Sequence, residues 1–243
     1  MRYKINLPLS LTIILVLAGM MKAAGQPDTD QFKCSQELIR LIQMFSDTPH
    51  VSFQVKQVTF YKDAPEHMAL YQYKVSGEKI WVEGSDSTQI IQNEQYSLKV
   101  SHSLHQADVM VPVEVFKYVA QVKILDPSFY TSYIAGMTLT DTAGYRKLSY
   151  RFKPGSMYRS YDIIYDKTTH RIQAIQYSVN LNGGRPVTSG AGMYEVTRTF
   201  SNYQTGQFND NVFATDGYFI RKQGVCSMVA PYTSYTIKNL LNQ

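Results

Sequence analysis

The chain has 243 residues, 44% of them apolar and 18% charged, with a net charge of +5. That length suits one globular domain or at most two, and so many apolar residues exclude wholesale disorder. Arg2, Lys4 and Lys22 carry three of the positive charges; without them the net is +2 and no Lys/Arg cluster is left to neutralise a run of phosphates, which excludes nucleic acid as a partner.

Residues 1–25 have the anatomy of a secretory signal. Basic Arg2 and Lys4 precede an apolar core from Leu7 to Met21, and Ala23, Ala24 and Gly25 are the small residues of a cleavage site. The mature chain is expected to start at Gln26. The apolar run is shorter than the ~20 residues that a spanning helix needs. Cys34 and Cys226 are the two cysteines, and in an oxidising compartment an even count permits one bridge. Closing so long a loop would constrain the unfolded chain by roughly 4 to 5 kcal/mol. Two separate buried thiols are the alternative, since connectivity needs geometry.

After the leader, Cys34, Leu38, Leu41, Ile42 and Phe45 recur at three and four residues, with Lys33, Gln36, Glu37, Arg40 and Gln43 elsewhere on the wheel. This predicts an amphipathic helix that Ser46-Asp47-Thr48-Pro49 ends. Strand patterns follow. Val51, Phe53 and Val55 alternate with polar residues, and the apolar parity then shifts to Val58 and Phe60, as a bulge requires. Tyr71, Tyr73 and Val75 form the next strand, and Ser76-Gly77-Glu78 turns it into Ile80-Trp81-Val82. Gly84 to Ser87 turns the chain into Thr88–Gln92, and Asn93-Glu94-Gln95 turns it into Tyr96, Leu98 and Val100. No helix long enough for a parallel crossover separates these strands, so the sheet is expected to be antiparallel.

Val109, Val111, Val113 and Val115 read as a strand that Pro112 confines to an edge or breaks. Glu114 to Lys123 suits a short helix, and Asp126-Pro127 starts another to Ile134, so residues 114–134 are candidates for a lid. Met137–Thr140, then Leu148, Tyr150 and Phe152, resume the sheet. Tyr161, Ile163 and Tyr165 alternate with polar residues up to the turn Asp166 to His170, and Ile175, Tyr177, Val179 and Leu181 return on one face. Tyr194, Val196 and Phe200 mark a third strand, Phe208–Phe213 an edge segment, and the tail from about Val225 has no clear period.

This order of elements resembles the LolA/LolB-like lipoprotein-carrier fold. Leu148 to Phe152, Tyr161 to Asp166 and Arg171 to Ile175 are similar to that family's late hairpin, Ile90 to Leu98 to its earlier one, and Asn209-Asp210-Asn211-Val212-Phe213 to its closing segment. The resemblance implies an α+β, mainly antiparallel β fold: a curved sheet forming an incomplete barrel, with an N-terminal helix and short covering helices, as a single domain from residue 26 to 243 with a C-terminal extension from about 225. It also implies a periplasmic carrier that shields the acyl chains of lipids or lipoproteins without chemical turnover. In one place the sequence departs from the family: Glu78 to Gly84 holds no arginine of the kind that latches a carrier's lid.

If there is a cavity, its wall comes from the apolar parity of the strands: Tyr71, Tyr73, Leu148, Tyr150, Phe152, Ile175, Tyr177, Val179, Tyr194 and Val196. For each of these residues a plain packed core is the competing reading. Arg198 shares the parity of Tyr194 and Val196, so an unbroken strand points its guanidinium to the apolar side, where it needs an anion. A bulge or an edge position would return it to solvent. His102, His105 and Asp108 lack the spacing of a metal site. The sequence contains no G-x-S-x-G elbow, P-loop or H-E-x-x-H helix, so neither an enzyme nor a cofactor is expected. An envelope interaction or sensor module that binds a protein partner is the alternative to the carrier.

Overall fold

The computed structural model describes residues 29–48, 50–61, 64–113, 132–180 and 193–241. The leader at 1–25, most of the expected lid at 114–134, and Leu181 with the loop after it lie outside the described residues. Helix α1 spans Thr29–Asp47. Cys34, Leu38 and Leu41 form its buried stripe as the period requires, while Lys33, Gln36 and Arg40 are exposed. Glu37, expected on the polar side of the wheel, is instead buried. The side chains of Ile42 and Phe45 lie outside the described residues.

The strands are β1 (Val51–Tyr61), β2 (Ala64–Ser76), β3 (Lys79–Gly84), β4 (Thr88–Gln92), β5 (Ser97–Ser101), β6 (Gln106–Met110), β7 (Ile134–Asp141), β8 (Tyr145–Phe152), β9 (Tyr158–Asp166), β10 (Ile172–Asn180), β11 (Met193–Thr205), β12 (Phe219–Lys222), β13 (Val225–Met228) and β14 (Thr236–Asn239). Twelve of them form one sheet in the order β14-β6-β5-β4-β3-β2-β1-β11-β10-β9-β8-β7, open at both ends, and β12 pairs with β13 as a separate hairpin. Among the described residues the fold is therefore mainly antiparallel β with one long helix, and the sheet does not close on itself, as the incomplete barrel requires. The exception to antiparallel pairing is β14, which runs parallel to β6 with Thr236 opposite Gln106. A parallel pair needs a long connection, and the whole chain between the two strands supplies it.

Turn chemistry sets the hairpins. Asp166 Oδ1 accepts from the backbone N of Thr168 at 2.9 Å and of Thr169 at 2.7 Å, and His170 takes a φ of 55° to re-enter β10. Asn93 Oδ1 accepts from Gln95 N and Tyr96 N, each at 2.9 Å, between β4 and β5.

The chain differs from the sequence reading in three places. Burial in β1 stays on the odd residues: Thr59 is buried and Phe60 exposed, so the apolar face does not move to Val58 and Phe60. Phe208–Phe213 holds no strand; Asp210–Phe213 is a 3-10 turn capped by Asn209, which seats Phe213 in the interior. The tail without a period supplies β13 and β14, whose four residues each are too short to show one. Pro112 lies just past the end of β6, the break it was expected to impose.

Contacts divide the chain into two compact units. Unit 1 takes the described residues of Met1–Met44, Gln57–Met68 and Val115–Thr199; unit 2 takes those of Phe45–Lys56, Ala69–Glu114 and Phe200–Gln243. In unit 2, Ile91, Leu98, Val100, Ala107 and Val109 from β4 to β6 pack with Phe219 and Cys226 of the β12–β13 hairpin, and Trp81, Tyr96 and Tyr235 complete that core. In unit 1 the largest buried side chains are Tyr150, Tyr161 and Tyr165.

Candidate functional site

In unit 1 the strand register assembles one face. Met137, Tyr150, Tyr161, Tyr177 and Val196 stand side by side across β7 to β11. The neighbouring row on the same face is Leu139, Leu148, Ile163, Ile175 and Arg198. A register shift between Ser178 and Val179 brings Tyr158 opposite Val179, and Tyr194 completes that third row. Such cross-strand neighbours pack directly, and the Tyr161 and Tyr177 rings stack at 5.7 Å. The face is aromatic and aliphatic throughout, except at Arg198.

The Arg198 side chain is 5% exposed, so β11 neither bulges nor frees it at an edge. Its Nε donates to Gln57 Oε1 at 2.8 Å, and its guanidinium carbon lies 5.7 Å from the centre of the Tyr177 ring. Among the described residues Nη1 has no hydrogen-bond partner, and neither does the Tyr161 hydroxyl, which is 0% exposed. A neutral amide and an aromatic face stabilise a cation by about 1 kcal/mol each and cancel none of its charge. Burial pushes the Tyr161 hydroxyl far above the ordinary tyrosine value, and the nearby Arg198 charge pulls the other way. Arg198 exerts the same downward pull on Tyr158 and Tyr194, whose values burial raises.

On the opposite side of the same strands, charges are paired. Asp162 accepts from Arg151 at 2.7 Å and Lys147 at 3.0 Å. Desolvation raises its carboxyl, but the bonds from Arg151 and Lys147 outweigh it and hold the group below the usual carboxylate range. On the tyrosine face itself, where Tyr165 continues the parity of Tyr161 and Ile163 and Arg146 that of Leu148 and Tyr150, Glu37 of α1 accepts from Tyr165 Oη at 2.7 Å, Arg40 at 2.6 Å and Arg146 at 3.3 Å. That set fastens the helix to β8 and β9.

Of the residues expected to line a wall, Leu148, Tyr150, Ile175, Tyr177, Val179, Val196 and Arg198 are buried in unit 1, with Phe152 and Tyr194 partly buried there. Tyr71 and Tyr73 belong to unit 2, where Tyr73 stacks on Phe53 at 4.9 Å and Tyr71 Oη donates to Asp86 at 2.9 Å. Sequence reasoning passed over Tyr161 and Ile163 as wall residues, although their parity carried the same signal, and Tyr158, which the register shift brings into line. It also missed Gln57. The signal there was the broken apolar pattern of β1: Gln57 and Thr59 stand where apolar residues were due because Gln57 meets Arg198. Trp81 is a rim residue of the unit 2 core with Lys74 Nζ 4.7 Å over its ring. Cys34 is buried in the stripe of α1 and Cys226 in the unit 2 core, and the bridge that their even number permitted is not formed. His102 Nδ1 and Tyr235 Oη are 3.0 Å apart, and among the described residues no group of three metal-ligating side chains occurs. No helix among the described residues is long and apolar enough to cross a membrane.

No family model and no curated protein matches the sequence. Solved structures that are similar include a LolA superfamily protein from Nitrosomonas europaea, with 12% identity over 78% of this chain and 99% of that one and a TM-score of 0.37. A putative outer membrane lipoprotein-sorting protein domain from Vibrio parahaemolyticus has 10% identity, with coverage of 77% and 98% and a TM-score of 0.39. An uncharacterized conserved protein from Thermus thermophilus reaches a TM-score of 0.47 at 10% identity, with coverage of 85% and 99%. Likenesses this distant do not bear on what the chain binds.

Proposed function

We propose that this chain, which resembles the LolA-like carriers in its order of elements, is an exported periplasmic protein that shelters the acyl chain of a lipid or lipoprotein and performs no chemistry on it. The observation that carries this reading is the composition of the unit 1 face. Two rows of tyrosine and aliphatic side chains run across β7 to β11 and a third across β9 to β11, and they include a buried tyrosine hydroxyl with no partner among the described residues. A filled core has no use for an unpartnered buried hydroxyl, which costs about 1 to 3 kcal/mol. A ligand-binding face tolerates it. Laying an alkyl chain on such a surface gains about 0.8 kcal/mol per methylene buried.

The test is a titration of the delipidated protein with a fluorescent fatty acid. Saturable binding is expected, retained in Tyr177→Phe and lost in Tyr177→Glu, which puts a charge in the middle of the tyrosine rows. No binding by the unaltered protein removes the reading. The alternative, an envelope interaction module, is favoured by two exposed apolar side chains of unit 2, Leu104 at 72% and Val225 at 65%. It would leave partner binding unchanged in Tyr177→Glu.

A further inference from the structure

We infer that Arg198 and Tyr161 form a seat for a carboxylate, the anionic end of an amphiphile whose apolar part lies on the tyrosine rows of unit 1. The apolar half of this statement rests on the carrier reading; the anionic half stands on the charges. Arg198 is 5% exposed, and a buried guanidinium is expensive to hold unless an anion compensates it. The acids of β7 to β11 are placed elsewhere. Asp162 faces the other way and is held by Lys147 and Arg151; Asp141 is bound to Arg146 and Lys167; Asp166 caps its own turn; and Glu195 is exposed on the other parity of β11. Glu37 is held by Tyr165, Arg40 and Arg146.

Both groups left over are donors. Arg198 Nη1 carries N–H groups with no acceptor among the described residues, and the Tyr161 hydroxyl can give its proton to a neighbouring oxygen. Gln57 already fixes the guanidinium through Nε, which leaves the Nη side of the fork to meet a ligand. Donors of this kind, fixed in apolar surroundings, select a negatively charged acceptor. Among anions, a carboxylate with one charge costs less to desolvate here than a phosphate dianion, and it leaves no second charge without a partner. Tyr177 lies under the guanidinium, 5.7 Å from its carbon to the ring centre, and apolar surroundings of this kind strengthen the contact.

The experiment compares decanoate, decanol and inorganic phosphate by calorimetric titration of the delipidated full chain. Decanoate is expected to bind roughly 10- to 100-fold more tightly than decanol. Arg198→Met should erase that preference while keeping decanol affinity, and Tyr161→Phe should reduce it by about 3- to 10-fold. Tyr161→Phe removes a single oxygen, so it serves should Arg198→Met fail to fold. Equal binding of acid and alcohol by the unaltered protein overturns the seat and leaves the carrier; a carboxylate supplied by the chain itself would produce that result. A preference for decanoate that survives Arg198→Met also overturns the seat. Phosphate binding that Arg198→Met abolishes, with decanol unbound, keeps an anion seat but overturns the carboxylate amphiphile and the carrier with it. Binding of none of the three overturns both.

Discussion

Glu37 and Arg198 are both buried charges of unit 1, one above the polar ends of β8 and β9 and the other among the tyrosine rows of β9 to β11, and their surroundings differ in kind. Glu37 accepts from a tyrosine hydroxyl and from two arginines, so its charge is balanced and its oxygens are engaged. Arg198 Nε donates to a neutral amide, and among the described residues neither its Nη1 nor the Tyr161 hydroxyl has a partner. The first arrangement closes within the protein and holds a helix. The second is not closed among the described residues, and the inferred carboxylate would close it. A buried charge therefore does not report a function by being buried; what reports it is the sign of the groups around it.

Removing each charge should separate the two cases by sign. Glu37→Ala leaves the buried Tyr165 hydroxyl without its acceptor and Arg146 without half of its partners, and it should lower stability by about 2 to 3 kcal/mol in urea unfolding. The value sits at the low end of buried pairs because Arg40 and Arg146 are partly exposed. Arg198→Met puts an apolar chain of similar length into an apolar row opposite Ile175, and it should raise the stability of the ligand-free protein by about 1 to 2 kcal/mol. A loss of 2 kcal/mol or more in Arg198→Met would mean that an acid of the chain already pairs with it, and the contrast with Glu37 would end.

Much of this was legible in the sequence, and the places where it was not are instructive. Period-two alternation gave β8 to β11 and the parity of Arg198 because those strands are long and one of their faces is apolar almost throughout. The turns were readable because Asn93 and Asp166 close them with their own side chains. In β1 the same rule failed. Gln57 sits on the buried side as the partner of Arg198, and a hydrophobic pattern registers such a polar position as a slip of register. Glu37 was misplaced on the helix wheel for the same reason: its partners, Arg146 and Tyr165, lie more than a hundred residues away, and no local rule anticipates them. Polar residues on a buried face were thus both the errors of pattern reading and the residues from which the two charge centres are built. The tail escaped prediction on other grounds, since strands of four residues take their conformation from the edge or hairpin they join.

The smallest effect tests whether Arg198 is truly uncompensated, and it is spectroscopic. Tyr158 in unit 1 and Tyr218 in unit 2 are each pushed up to about 12, first by burial and then by a neighbouring tyrosine. Arg198 opposes the rise at Tyr158, whereas at Tyr218 the hydrogen bond to Gln89 does so. A tyrosine raised above its ordinary 10.0 favours folding while it is protonated, so its contribution is complete below pH 10 and is lost as the pH climbs through about 12. Phenolate absorbance, compared with Tyr158→Phe and Tyr218→Phe to assign the late steps, should show Arg198→Met moving Tyr158 still higher and leaving Tyr218 in place. The asymmetry matters more than the size. If Tyr158 does not move, the charge of Arg198 is already cancelled at the wall, and it then exerts no pull on an incoming carboxylate either.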